Sequence, residues 1–305
     1  MNTVAQPAAI PAAVARRTRP SFPGAVRSEL LKIGRQGLTW VMVGGFTLLT
    51  AIVLIAIVAG GPARDTLAHD PRAFYFTYLS AMQQLFDTAS GIFLLIASSR
   101  LVSMEYGSGT IRVVLARGTG RLGLLAAQYA ALAITGLLLL AGFALVSTAF
   151  LYVLVVSWHG GFSPITSLPQ VAWTDTWLTV LVALASIAVC ILLGTAAAVA
   201  GRSVAFGVGA AMAFFPADNF GTIVMLLLSR LTHQDIWPKL TQYFLGPVMN
   251  QLPAALQTDH RAGAAFATVL VQGVPASRLW AVAGAYSLVF LAAAVVLTWR
   301  RDVLH

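Results

Sequence analysis

Six stretches of this chain run for about twenty residues or more with scarcely a charged side chain, and short polar segments separate them. They cover residues 38–59, 79–99, 122–156, 176–200, 203–228 and 279–299. An apolar run of this length predicts a helix that crosses a bilayer. The third run is longer than a bilayer requires, so it either tilts or projects beyond it. Ahead of the first run the pattern changes period. In residues 24–36 (GAVRSELLKIGRQ), Val26, Leu30 and Ile33 fall on one face at i, i+4 and i+7, and Arg27, Lys32 and Arg35 supply a polar side. This predicts a short amphipathic helix in the membrane plane, feeding the first span through Gly37. The expected fold is therefore an all-α integral membrane protein of six transmembrane helices, preceded by an in-plane helix. The domain organisation is a disordered cytoplasmic tail over residues 1–23 and one transmembrane domain over 24–305. The tail holds four prolines and three arginines, and Glu29 and Lys32 part it from the first apolar run, so it does not read as a secretory signal.

Composition agrees with the pattern. Of the 305 residues, 58% are hydrophobic and 10% charged, against about 25% charged in soluble domains. So few charges could not cover a water-soluble surface. The net charge of +9 comes from basic residues that flank the spans. Membrane topology and anionic lipid account for them, and no aromatic-basic interleaving points to nucleic acid. With the N terminus inside, thirteen lysines and arginines fall on the inner side and six on the outer. This predicts a cell-membrane protein (plasma or inner membrane) with both termini cytoplasmic. The single cysteine, Cys190, excludes an internal disulfide and reads as a small buried hydrophobe.

The densest charge lies between the second and third runs, in MEYGSGTIRVVLARGTGR at residues 104–121. Arg100 closes the second run. Glu105, Arg112, Arg117 and Arg121 would each cost about 2.5–3.5 kcal/mol in hydrocarbon, so the segment is expected outside the bilayer on the inner side. Yet Ile111, Val113, Val114 and Leu115 form an apolar cluster. Thr110 can cap a short helix that Gly107 and Gly109 turn into and that Gly118 and Gly120 end. The result is a membrane-parallel helix with an exposed apolar face ringed by charge, which suggests a docking surface.

The pattern E-Y-x-x-G-T-I-R-x-x-L-A-R-x-x-x-R at Glu105–Arg121 resembles the intracellular coupling-helix region of ABC-2 type transporter permeases. R-S-E-L-L-K at Arg27–Lys32 and W-R-R-D-V at Trp299–Val303 resemble the same family, so the likeness runs from about residue 24 onward. One departure is Gly118, where the family often has proline. The resemblance implies a permease subunit of an ATP-driven transporter, more often an exporter. It implies a second permease copy, as homodimer or heterodimer, and a separate ABC ATPase subunit that binds ATP and Mg. On that reading Glu105, Gly109, Thr110, Ile111, Arg112, Leu115, Arg117 and Arg121 are the candidates for the ATPase contact. Two roles stay open for Glu105: the contact itself, or an internal pairing with Arg112 or Arg100.

The chain contains no G-x-x-x-x-G-K-[ST], and its lysines, Lys32 and Lys239, follow no glycine-rich loop. ATP hydrolysis is thus expected in a partner, with no cofactor or metal in this chain and no catalytic residue of its own. Two acids fall inside predicted spans, Asp87 and Asp218. With Gln83, Gln84 and Asn219 they are candidates to line a translocation cavity; alternatively they cap a broken helix near Pro216 or hydrogen-bond between spans. His69, His159, His233 and His260 sit in predicted outer loops at no metal-ligand spacing. Residues 230–278 form the longest connection, and their aromatics and prolines fit either a re-entrant helix or an interfacial anchor. Two other functions compete with transport: a non-transporting scaffold or sensor of permease-like architecture, and an intramembrane enzyme, which would need a nucleophile, base or metal set that the spans do not display.

Overall fold

The computed structural model describes residues 21–107, 120–234, 236–256 and 273–300. Eleven helices occupy them: α1 (Phe22–Arg35), α2 (Gly37–Ala59), α3 (Pro62–His69), α4 (Pro71–Gly107), α5 (Arg121–His159), α6 (Ser163–Thr166), α7 (Gln170–Gly201), α8 (Val204–Thr232), α9 (Ile236–Thr241), α10 (Leu245–Leu256) and α11 (Ala276–Arg300). Six of them, α2, α4, α5, α7, α8 and α11, are long and apolar enough to cross a membrane. Each coincides with one predicted span. The tail before residue 21, and Gly109, Thr110, Ile111, Arg112, Leu115 and Arg117 of the expected coupling helix, lie outside the described residues.

The ends of the spans differ from expectation, most of all in α4. This helix begins at Pro71, where Asp70 Oδ1 accepts from Ala73 N at 3.0 Å. It continues seven residues past Arg100, where the charge pattern predicts a break. The reason is packing: Leu101, Val102, Ser103 and Glu105 are all buried against neighbouring helices, so the helix keeps partners after its apolar run ends. Glu105 therefore sits on the last turn of a span and not in a loop. α1 begins two residues earlier than the predicted boundary, with Ser21 Oγ accepting from Gly24 N at 3.3 Å as its cap.

α4 and α7 form the centre, and α2 and α8 are the most exposed spans. Exposed Leu48, Ile52 and Ile55 on α2, and Phe220, Ile223 and Leu227 on α8, are the surface a membrane protein turns to lipid. Contacts between α4 and α7 pair Tyr75 with Thr176, Gln83 with Thr179, Gly91 with Cys190 and Ser99 with Gly194, so the two helices run parallel. Their approach is close because small residues meet. Ser99 Oγ donates to the Gly194 carbonyl at 3.1 Å, and a Cβ on Gly194 would overlap Ser98 Oγ and lie 3.0 Å from the Leu95 carbonyl oxygen. α5 runs antiparallel to α4, tied by Tyr78 Oη donating to the Ser147 carbonyl at 2.7 Å near one end and by Gln128 to Glu105 at the other.

One end of the bundle gathers Glu105 at the end of α4, Arg121 at the start of α5, Val199 near the end of α7 and Thr298 near the end of α11 around a small shared pocket. α1 packs at this end too, through Val26 and Ile33. The first and last described helices thus meet on the same side, as an even number of crossings requires.

Candidate functional site

The site grows from the amphipathic character of α1. Val26 and Ile33 anchor it in the core beside Ala127, Ala131 and Leu101. Glu29 stands between them on the same arc, three residues after one and four before the other, so burying the apolar face buries the carboxylate as well. Glu29 is only 1% exposed. Its charge is met by Lys32 one turn on, with Nζ 2.6 Å from Glu29 Oε1. The same ammonium lies 2.6 Å from Oε1 of Glu105, seventy-three residues away on α4. The second oxygen of Glu105 accepts from Gln128 Nε2 of α5 at 2.9 Å. Three helices are therefore tied at one point: α1 by Glu29 and Lys32, α4 by Glu105 and α5 by Gln128. Among the described residues Glu105 pairs with Lys32 and not with Arg100, and Arg112 lies outside them.

Two carboxylates share one ammonium here, and the environment shifts both sides. Burial pushes the Glu29 carboxyl above its usual range; the hydrogen bond from Lys32 opposes this, and the neighbouring Glu105 charge reinforces it. For Lys32, burial works against the charged form, but the bonds to Glu105 and Glu29 outweigh it and the ammonium is held above its usual value. Glu105 and Gln128 also face the pocket lined by Arg121, Leu124, Leu125 and Thr298. The node lies close to where α4 ends at Gly107 and α5 begins at Arg121.

The five candidates for a polar cavity fall into two clusters. Gln83 and Asp87 face α7: Gln83 Nε2 donates to Asp87 Oδ2 at 3.3 Å and to the Thr179 carbonyl at 3.4 Å, with Gln84 half-buried beside them. Asp218 and Asn219 face α10 instead. Asp218 Oδ2 accepts from Gly246 N at 2.5 Å, and Asn219 Oδ1 accepts from Asn250 Nδ2 at 3.2 Å. α8 passes through Pro216 as a single helix, so Asn219 serves α10 and not a broken turn of its own. A carboxylate on the first N–H groups of a helix satisfies donors that have no intrahelical partner and opposes the positive end of the dipole. Asp218→Ala is expected to cost about 1–2 kcal/mol and to speed hydrogen exchange at Val248 and Leu252, with Asp218→Asn close to wild type. Unchanged exchange in the alanine variant would remove this capping role.

The model of the ABC-2 family transporter proteins matches residues 25–218, more than half of the chain. The chain belongs to this family. No curated protein matched it. As an ABC-2 family member with six apolar helices it is a multi-pass membrane protein of the transporter permease kind. The matched region contains the whole Glu29–Lys32–Glu105–Gln128 node and ends at Asp218, before α10 and α11.

Sequence reasoning singles out Glu105 and Arg121 in this ABC-2 member and misses Glu29 and Gln128 as their company. The signal for Glu29 is there: an acid on the arc between Val26 and Ile33 must be buried once that arc is. Asp175, fully buried near the start of α7, escapes notice because it falls just before the predicted fourth span.

Proposed function

We propose that this chain is the membrane permease subunit of an ATP-driven exporter. It pairs with a second permease copy and takes its power from a separate ABC ATPase seated against residues 103–121. The N and C termini and the node then face the cytoplasm, where ATP and Mg are bound by the ATPase. One observation above all supports this reading. The end of α4 and the start of α5, which flank the segment 108–119, are clamped together with α1 by Lys32, Glu105 and Gln128. Force delivered to the connection would enter three helices at once and would not be lost in bending a loop. Closure of the ATPase would then bias a two-state membrane domain.

Charge reversal at Arg112 and Arg117 tests the docking. Like charges placed across an interface cost several kcal/mol, so Arg112→Glu/Arg117→Glu is expected to lower recovery of the ATPase with the tagged permease by about tenfold or more. The permease itself should elute unchanged from a sizing column. Full recovery of the ATPase would overturn the assignment of this segment. A cysteine at Ser108 should react with impermeant reagent only when the inner face is open; labelling from outside intact cells would invert the topology.

A further inference from the structure

Asp87 poses a problem of charge. It lies mid-way along α4, and among the described residues no basic side chain stands near it. Arg72 and Arg100 on α4 are fifteen residues before and thirteen after it, about 22 and 20 Å along the axis. α7 carries Asp175 and Cys190 but no lysine, arginine or histidine, and α2 carries no charged residue. α5 has Arg121 and His159 at its two ends and the tyrosines Tyr129 and Tyr152 between; α8 has Asp218 and Arg230. The charged groups of α1 and α3 pack at the two extremities of α4. Asp87 is half-buried, with its Oδ1 enclosed. A carboxylate so placed mid-way along an apolar span, with no cation beside it, carries a charge that a bound proton or cation would relieve.

The surroundings of Asp87 supply the rest of a site. Gln83, Asp87 and Ser90 follow each other at i, i+4 and i+7, one stripe on the face of α4 turned to α7. Gln83 is 6% exposed and Ser90 is 1% exposed. Gln83 Oε1, Asp87 Oδ1 and Ser90 Oγ each lack a hydrogen-bond partner among the described residues. From α7, Ser186 lies beside Asp87, and the Gln83 amide donates to the Thr179 carbonyl at 3.4 Å. All three unpartnered atoms are oxygens, and the set carries one negative charge. Such a set suits a hard, singly charged cation and has too little charge for a divalent one.

We propose that Gln83, Asp87 and Ser90 form an intramembrane site for one monovalent positive charge, a proton or an alkali cation, held between α4 and α7. The site is independent of the docking of the ATPase and of the direction of transport.

Infrared difference spectroscopy of the purified full-length chain in lipid nanodiscs tests it, with Asp87→Asn as the reference that identifies the Asp87 bands. In choline buffer at neutral pH, a protonated-carboxyl band that Asp87→Asn removes is expected. If sodium or potassium leaves that band unchanged, the occupant is the proton. If either ion abolishes it with a saturable midpoint, the occupant is the alkali cation. Ser90→Ala should weaken binding of that occupant by about tenfold, the weight of one hydrogen bond to a charged group, and it supplies the measurement should Asp87→Asn fail to fold. An ionised Asp87 in choline that no added ion perturbs would overturn the proposal. So would a Ser90→Ala midpoint equal to wild type.

Discussion

The Lys32→Met variant is expected to unfold well before the wild type. Methionine preserves the length and the apolar stem of the side chain but removes the cation bonded to both Glu29 and Glu105, whose side chains are 2% and 7% exposed. Removing one partner of a fully buried pair costs about 3–5 kcal/mol, because the remaining charge stays in a poor environment. Lys32 is itself 42% exposed, so water recovers part of this, and a loss of about 2–3 kcal/mol is expected. Reversible unfolding in mixed micelles, followed by tryptophan fluorescence, would measure it. Lys32→Met/Glu29→Gln should regain part of the loss by removing one of the two facing acids. A single variant within ~0.5 kcal/mol of wild type would show that the node contributes nothing.

The same node predicts how stability responds to pH. The Glu29 carboxyl is raised above its ordinary value of 4.5, so folding favours its protonated form. Its contribution is fully present below about 4.5 and is lost as pH rises through the raised value. The wild type should therefore weaken across that window as pH increases, and Glu29→Gln should flatten this part of the profile. Lys32, raised above 10.5, contributes below that value and loses its contribution only in strong alkali, outside the same window.

Gly194→Val is expected to force α4 and α7 apart. Even a Cβ at this position would overlap Ser98 Oγ, which donates to the Leu94 carbonyl at 2.6 Å, and would press on the Leu95 carbonyl oxygen at 3.0 Å. The serine could swing away only by giving up its bond, and the backbone oxygen cannot swing at all. Overpacking of this kind costs about 1–3 kcal/mol, and the branched side chain places valine at the upper end. Gly194→Ala should lose less, and Ser98→Ala/Gly194→Ala should recover a part. A valine variant as stable as wild type would mean that the two helices do not meet as described.

The six spans are legible because a stretch of some twenty residues without charge suits a bilayer-crossing helix and little else. The places where sequence reading falls short share a physical cause, which is burial that hydropathy does not register. The first eight residues of α4 (PRAFYFTY) mix arginine with aromatics, yet Phe74, Tyr75, Phe76 and Tyr78 are all buried. Its last turns carry Glu105, buried where α1 and α5 reach it through Lys32 and Gln128, and Ser103, buried against Gly207 of α8. α10 is twelve residues long with two prolines, too short to read as a span, and only its fit against α7, α8 and α11 makes it a helix worth burying. Lys32 belongs to the polar side of α1 on a helical wheel, and its 42% exposure agrees in part. Its two partners are not legible from the wheel alone, since one of them lies on another helix.

α4 and α7 touch at four heights along parallel axes, from Tyr75–Thr176 to Ser99–Gly194. Two rods riveted at so many levels cannot slide or twist past one another without shearing every rivet, so they behave as a single plank. With α4 about 55 Å long, a lean of roughly 5° carries one tip ~5 Å sideways relative to the other. A nudge at the Gly107 tip therefore needs no melting, kinking or relay of side chains to be felt at the Pro71 tip: stiffness alone delivers it.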